Sequence, residues 1–166
     1  MKVLNKVSDA VFRFEKWLAV LLALLLLVAL AGGVLYRYLL KLPLFWADEL
    51  AIFCLIWMTF VGGSMSLKVK EAPTINLLTD TVSPKMKRVF LILSNVILLV
   101  FTAYILYLSY YWLSASNIKV QTSTAMNMPK IYSYLSIPVS FICTAIHLLN
   151  STVMALLGRE EKGGLQ

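Results

Sequence analysis

An all-α integral membrane protein with four transmembrane helices is the fold class this sequence predicts, and three observations carry the prediction. Of the 166 residues, 60% are hydrophobic and 14% charged, against roughly 45–50% and 25% in soluble domains. A chain this short cannot hide so much apolar surface from water in one soluble core. The charged residues fall between four apolar runs or at their edges. Each run is also long enough: about 20 residues at ~1.5 Å each cross a hydrocarbon core of ~30 Å, where a helix satisfies its own backbone groups. The chain reads as a single membrane domain over 1–166.

Residues 1–16 open it as an amphipathic arm. Val3, Leu4, Val7, Val11 and Phe14 recur at helical spacing, with Lys2, Lys6, Asp9, Arg13 and Lys16 between them. This is the pattern of a basic helix lying in the headgroup plane. The first span follows over 17–40. Its basic approach, Leu-rich stretch and Ala29-Leu30-Ala31 resemble a cleavable signal peptide, but the apolar run continues to Leu40. That is too long for a signal core, and a retained helix is expected. The second span covers 43–67, with Pro43 suited to a first-turn position. Segment 71–84 is semi-apolar (Ile75, Leu77, Leu78, Val82) and too short to cross; it is expected to lie at the interface and stop at Pro84. The third span, 88–113, ends in Tyr104, Tyr107, Tyr110, Tyr111 and Trp112, an aromatic belt. The fourth span occupies 130–157, and a charged tail, 158–166, closes the chain.

Charge sets the expected orientation. The net charge of +7 could suggest a nucleic-acid partner, but Lys and Arg are distributed as topology signals. Eleven lie in the arm, the loop after the second span and the tail, against four in the two other loops. The positive-inside rule then places both termini in the cytoplasm, with membrane lipids as partners and no nucleic acid.

The most informative polar cluster is Arg37-Tyr38 followed by Trp46-Ala47-Asp48-Glu49. Arg37 closes the first helix and two acids open the second. The helix dipole favours carboxylates there, and Arg37 can pair with one of them across the hairpin. The cluster reads as a structural clasp or a partner-docking site. A catalytic dyad is not expected, for no nucleophile, base or metal ligand is near in sequence; neither cofactor nor metal is called for. His147, the only histidine, sits in the fourth span, where an interhelical hydrogen bond is expected of it. Gly62-Gly63-Ser64 offers a small face for helix packing, and Pro138 should kink the fourth span or free a carbonyl. Cys54 and Cys143 lie in apolar runs and form no C-x-x-C pair, the behaviour of small buried hydrophobes. No Asp, Glu, Lys or Arg occupies the middle of a span, whereas ion-coupled transporters place acids or broken helices there. The residues therefore describe a scaffold or accessory subunit.

Together these landmarks resemble the small membrane subunit of tripartite ATP-independent periplasmic (TRAP) transporters. The family pattern appears as Arg37-Tyr38, Trp46-Ala47-Asp48-Glu49, Trp57 with Gly62, Ser123-Thr124-Ala125, Pro129, and Tyr134-Leu135-Ser136-Ile137-Pro138. Three departures stand out: Glu71-Ala72-Pro73 where the family usually has a His, Asp48 where Glu is commoner, and Ser140 for a Gly. The resemblance implies a bacterial inner-membrane location. It also implies a large multi-span partner holding the substrate and sodium sites, and a periplasmic binding protein delivering an organic acid of the C4-dicarboxylate or sialic-acid type. This chain would then bind no substrate directly. Two readings compete with it. A small self-assembling four-helix transporter or channel would need a membrane-embedded acid. A four-helix thiol oxidoreductase would need paired outer cysteines.

Overall fold

The computed structural model describes residues 2–69 and 84–157. Six helices occur among them: α1 (Lys2–Leu39), α2 (Phe45–Val69), α3 (Pro84–Leu113), the one-turn α4 (Ser116–Lys119), α5 (Ile131–Tyr134) and α6 (Ser136–Leu156). Four stretches are long and apolar enough to cross a membrane: α1, α2, most of α3, and α5 with α6 taken together. The expected interfacial segment 71–84 and the tail 158–166 lie outside the described residues, except that Pro84 opens α3. A proline suits that place, since a first-turn N–H has no intrahelical acceptor to lose.

In one respect the arrangement departs from expectation. The arm and the first span are one uninterrupted helix of 38 residues, about 57 Å at 1.5 Å per residue. Ser8, Glu15, Leu22 and Ala29 are its buried residues. They recur every seven positions, as a helix packing along a single seam requires. The arm's apolar residues Val3, Val7 and Phe14 are exposed, while Leu4 and Val11 are half-buried, so the arm packs through a mixed face centred on Ser8 and Glu15.

α6 is the hub. It packs on α3 and α2 and more lightly on α1, while α1 pairs with α2. The hairpin between α1 and α2 is tight, with Lys41 in the left-handed region (φ 54°), and Pro43 precedes α2 instead of opening it. Gly33 of α1 faces Ala47 of α2 in this hairpin, where an added Cβ would lie 3.7 Å from that of Ala47, an ordinary van der Waals contact. The fourth span breaks at Leu135, between α5 and α6. Pro138 stands in the first turn of α6, where its missing N–H costs little.

Burial follows the logic of a bilayer. The interior holds Ala47, Ala51, Cys54, Ser64, Ser136, Ser140, Thr144 and Ser151, while Leu24, Leu27, Val28, Phe90, Val100 and Phe101 face outward. In water this distribution would be inside out. In lipid, small and hydroxylated residues let helix backbones approach, and large aliphatic ones are solvated by acyl chains.

Candidate functional site

At the hairpin end, the stretch between α4 and α5 folds into a miniature hairpin. Thr122 bridges Pro129, Ser123 N–H donates to Met128 O (2.8 Å), and Lys130 N–H donates to Gln121 O (2.9 Å). Asn127 turns the chain with φ 52°, a conformation Asn tolerates better than most residues. The tight turn points three successive N–H groups to one side, and such groups need an acceptor.

The acceptor is Glu49. Its Oε1 receives Thr124 N–H (2.9 Å), the Thr124 hydroxyl (2.7 Å) and Ala125 N–H (2.9 Å). Its Oε2 receives Met126 N–H (2.8 Å) and the Ser123 hydroxyl. Five donors saturate a carboxylate that offers about four lone-pair sites. Hydrogen bonds to an ionised acceptor are about twice as strong as neutral ones, and a concave run of backbone N–H groups is a natural anion seat. Here the chain fills its own seat.

Glu49, Phe53 and Trp57 share one face of α2, at four-residue spacing. That face meets the same region: Phe53 and Glu49 line a small depression with Pro129 and Ser133, and Trp57 Nε1 donates to Tyr132 O (3.1 Å). Tyr134 donates from its hydroxyl to Gln121 Oε1 (3.0 Å) and sets its ring edge-on to Trp112, centroids 4.6 Å apart. The structure thus gathers Glu49, Trp57, Ser123, Ala125, Pro129 and Tyr134 into one unit. Arg37 is not part of it. Its guanidinium lies 3.7 Å from Asp48, with the two side chains 62% and 58% exposed. Tyr38 and Trp46 are exposed beside them. Gly62 and Gly63 stand apart, and within the described residues a Cβ on either would meet nothing within 4 Å.

A second polar cluster, which the sequence reading missed, joins α1, α2 and α6 towards the other end. Lys68 Nζ lies 3.0 Å from Asp9 Oδ1 and donates to Ser8 Oγ (2.7 Å). Ser8 Oγ is 2.9 Å from His147 Nδ1, and His147 Nε2 is 3.0 Å from Glu15 Oε2. One hydrogen placement serves the whole chain: Lys68 to Ser8, Ser8 to Nδ1, and Nε2–H to Glu15. His147 therefore makes the interhelical hydrogen bonds expected of it. Its company is Glu15 and Ser8, not only the neighbouring Asn150 and Ser151. Glu15, assigned from sequence to a surface arm, is 2% exposed. The heptad spacing of Ser8, Glu15, Leu22 and Ala29 was the available signal. The constellation of Ser, His and acid invites a hydrolytic reading, but Ser8 is 0% exposed, so no substrate carbonyl can reach its hydroxyl. Below it, Asn95 Nδ2 donates to Ser151 Oγ (3.0 Å), and Arg88 donates to the Leu156 carbonyl at the end of α6. Among the described residues no group of His, Cys, Asp and Glu could hold a metal, and Cys54 and Cys143 are both free thiols.

Comparison with known proteins gives the family. The family model described as tripartite ATP-independent periplasmic transporters, DctQ component, matches residues 26–158. The chain is also similar to the isethionate TRAP transporter permease protein DctMQ of Oleidesulfovibrio alaskensis, at 28% identity over 109 residues. That match covers 63% of this chain but only 16% of the relative's length.

Proposed function

The chain belongs to the DctQ component family of tripartite ATP-independent periplasmic transporters, and from that premise we propose that it is the small scaffold subunit of a sodium-coupled organic-acid uptake system. It pairs with a large multi-span transport subunit in the bacterial inner membrane, with both termini cytoplasmic, and a periplasmic binding protein delivers the substrate. The observation that carries this reading is the Glu49 cage. A carboxylate already saturated by five donors of its own chain has no capacity left for substrate. It braces the hairpin end as a firm platform, beside which Arg37, Tyr38, Trp46 and Asp48 stand exposed for docking.

The relative's name joins the M and Q components, which supports covalent or close association with the large subunit. Its substrate, isethionate, is a small organic sulfonate, and the acid carried here is proposed to be an organic anion: a small sulfonate, a C4-dicarboxylate or the larger sialic acid. The deciding experiment is a mild-detergent pull-down of the tagged chain from its native membrane. A many-span partner at one-to-one ratio is expected. Self-oligomers alone, repeated in nanodiscs, would overturn the reading in favour of a self-assembling transporter or channel.

A further inference from the structure

The two acids of the arm are held by the rest of the bundle. Glu15 is buried against His147, and Asp9 lies 3.0 Å from Lys68 of α2. The arm's basic residues behave differently. Lys6, Arg13 and Lys16 are exposed, and among the described residues none of them forms an ion pair. The outward side of α1 from Lys6 to Trp17 therefore carries cations whose neighbouring acids are engaged elsewhere, a separation of sign that composition does not reveal. At about 100° per residue, Lys6, Arg13 and Lys16 fall on one flank of that side, and Val3, Val7, Phe14 and Trp17 on the flank beside it. Phe14 is 64% exposed and Trp17 76%. Arg13 and Lys16, three positions apart, are neighbours on the helix surface, as are Phe14 and Trp17. Arg13 Nε donates to the Asp9 carbonyl (3.4 Å), which leaves the terminal NH2 groups of the guanidinium uncommitted among the described residues.

The neighbouring helices fix the depth of this surface. The fourth span crosses opposite to the first, and Glu15 is level with His147, so α6 from His147 to Leu156 covers the same stretch as the arm. Over that stretch α6 exposes Leu149 and Leu156. α3 starts beside its end, with Arg88 on the Leu156 carbonyl, and exposes Val89 and Phe90. The bundle thus calls for acyl chains at the level where α1 presents its cations.

We infer that Arg13 and Lys16, with Phe14 and Trp17 beside them, form a site for one anionic phospholipid. Its phosphate sits on the two cations, where the guanidinium can grip two oxygens at once, and its acyl chain lies along the two rings. Lys6 extends the positive field towards the end of the helix. A neutral lipid would cover the rings and leave the cations without a counter-charge. An acidic protein segment would neutralise the cations and leave Phe14 and Trp17 uncovered. A phospholipid with net negative charge answers both flanks. Because the arm continues the first span as one helix, the lipid stands against its flank; the arm does not lie flat on the headgroups. This site belongs to the chain's own first helix and is independent of the large subunit and the substrate.

The test uses the full chain in nanodiscs of equal phosphatidylglycerol and phosphatidylcholine, released into native mass spectrometry. Retention of phosphatidylglycerol in preference to phosphatidylcholine is expected. In the double variant Arg13→Gln/Lys16→Gln that preference falls by about tenfold or more, the loss expected when two surface cations are removed. The control Lys119→Gln/Lys130→Gln removes two exposed cations at the opposite end and keeps the preference. Both variants melt like wild type in phosphatidylcholine alone, which shows that they fold. A wild type without preference, an arm variant that keeps it, or a control that loses it equally would each overturn the site; the last would reduce it to net charge. In native membranes a photo-crosslinking amino acid in place of Phe14 should give phospholipid adducts. Protein adducts there instead would overturn the lipid assignment in favour of an acidic protein partner.

Discussion

Glu49 and Glu15 are both carboxylates gripped by residues distant in sequence, yet they are gripped differently. Around Glu49 three of the five donors are backbone N–H groups of one short turn. Those donors are fixed by the fold of the loop and cannot rotate away. Around Glu15 the grip comes from side chains: His147 of α6 on Oε2, and behind it Ser8 of Glu15's own helix and Lys68 of α2. Its Oε1 is buried without a hydrogen-bond partner among the described residues. The first arrangement shapes a loop at one end of the molecule. The second ties three long helices together, so its failure should reach further.

The sharpest test of that difference is His147→Ala. Removing the imidazole takes the donor from Glu15 Oε2, and leaving a buried acceptor unsatisfied costs about 1–3 kcal/mol, more when it is charged. Glu15→Gln keeps an acceptor for Nε2–H and should cost closer to ~0.6 kcal/mol, the average for a hydrogen bond between membrane helices. Thermal unfolding of both variants in nanodiscs should therefore show a large loss for the first and a small one for the second. Equal, small losses would mean that the cluster does not hold the arm to the bundle.

At the other carboxylate a smaller and more local effect is expected. Glu49→Gln replaces one acceptor oxygen by an NH2 group that faces the donors of the turn, so it should behave almost like Glu49→Ala. In either variant hydrogen exchange at the amides of Thr124, Ala125 and Met126 should accelerate, with exchange in α6 below Ser140 unchanged. Retained protection at those three amides in Glu49→Gln would show that the turn holds its shape without the carboxylate. Loss of protection throughout α6 would show that the two clusters are not separate in the way the comparison assumes.

How much of this was legible in the sequence follows the same division. The four spans announce themselves through length and composition, and Trp46 to Glu49 through a local charge signal, whereas Ser123 to Ala125, Pro129 and Tyr134 stand out only through the family resemblance. Which acid faces which partner was not legible. Asp48 and Glu49 are neighbours about 100° apart around α2, and only the packing of Phe53 and Trp57 against the loop region decides that Glu49 turns to the loop. The arm was harder still. An apolar stripe through Val3, Val7 and Phe14 ordinarily marks the packed face of a helix. In this chain those three residues are exposed, and the packed face runs through Ser8 and Glu15, which are buried, with Leu4 and Val11 of the stripe half-buried beside them. The inversion is natural in lipid, where burying a polar group among polar partners is the stronger constraint.

The weakest link in the comparison is the one the sequence made most prominent. The Arg37–Asp48 pair spans the tip of the α1–α2 hairpin, and a clasp there would predict that Arg37→Ala loosens it. Geometry argues for little. The contact is 3.7 Å long and both side chains are more than half exposed, where ion pairs contribute about 0–1 kcal/mol and are screened by salt. The hairpin already has Gly33 facing Ala47 beneath its tip. Arg37→Ala should therefore shift the melting temperature slightly at low ionic strength and not at all at high. A large shift that persists in salt would mean that Arg37 holds the hairpin through something other than Asp48. An unchanged melting temperature combined with weaker capture of the binding protein would assign the exposed pair to docking and leave the fastening of the fold to the Glu49 and Glu15 clusters.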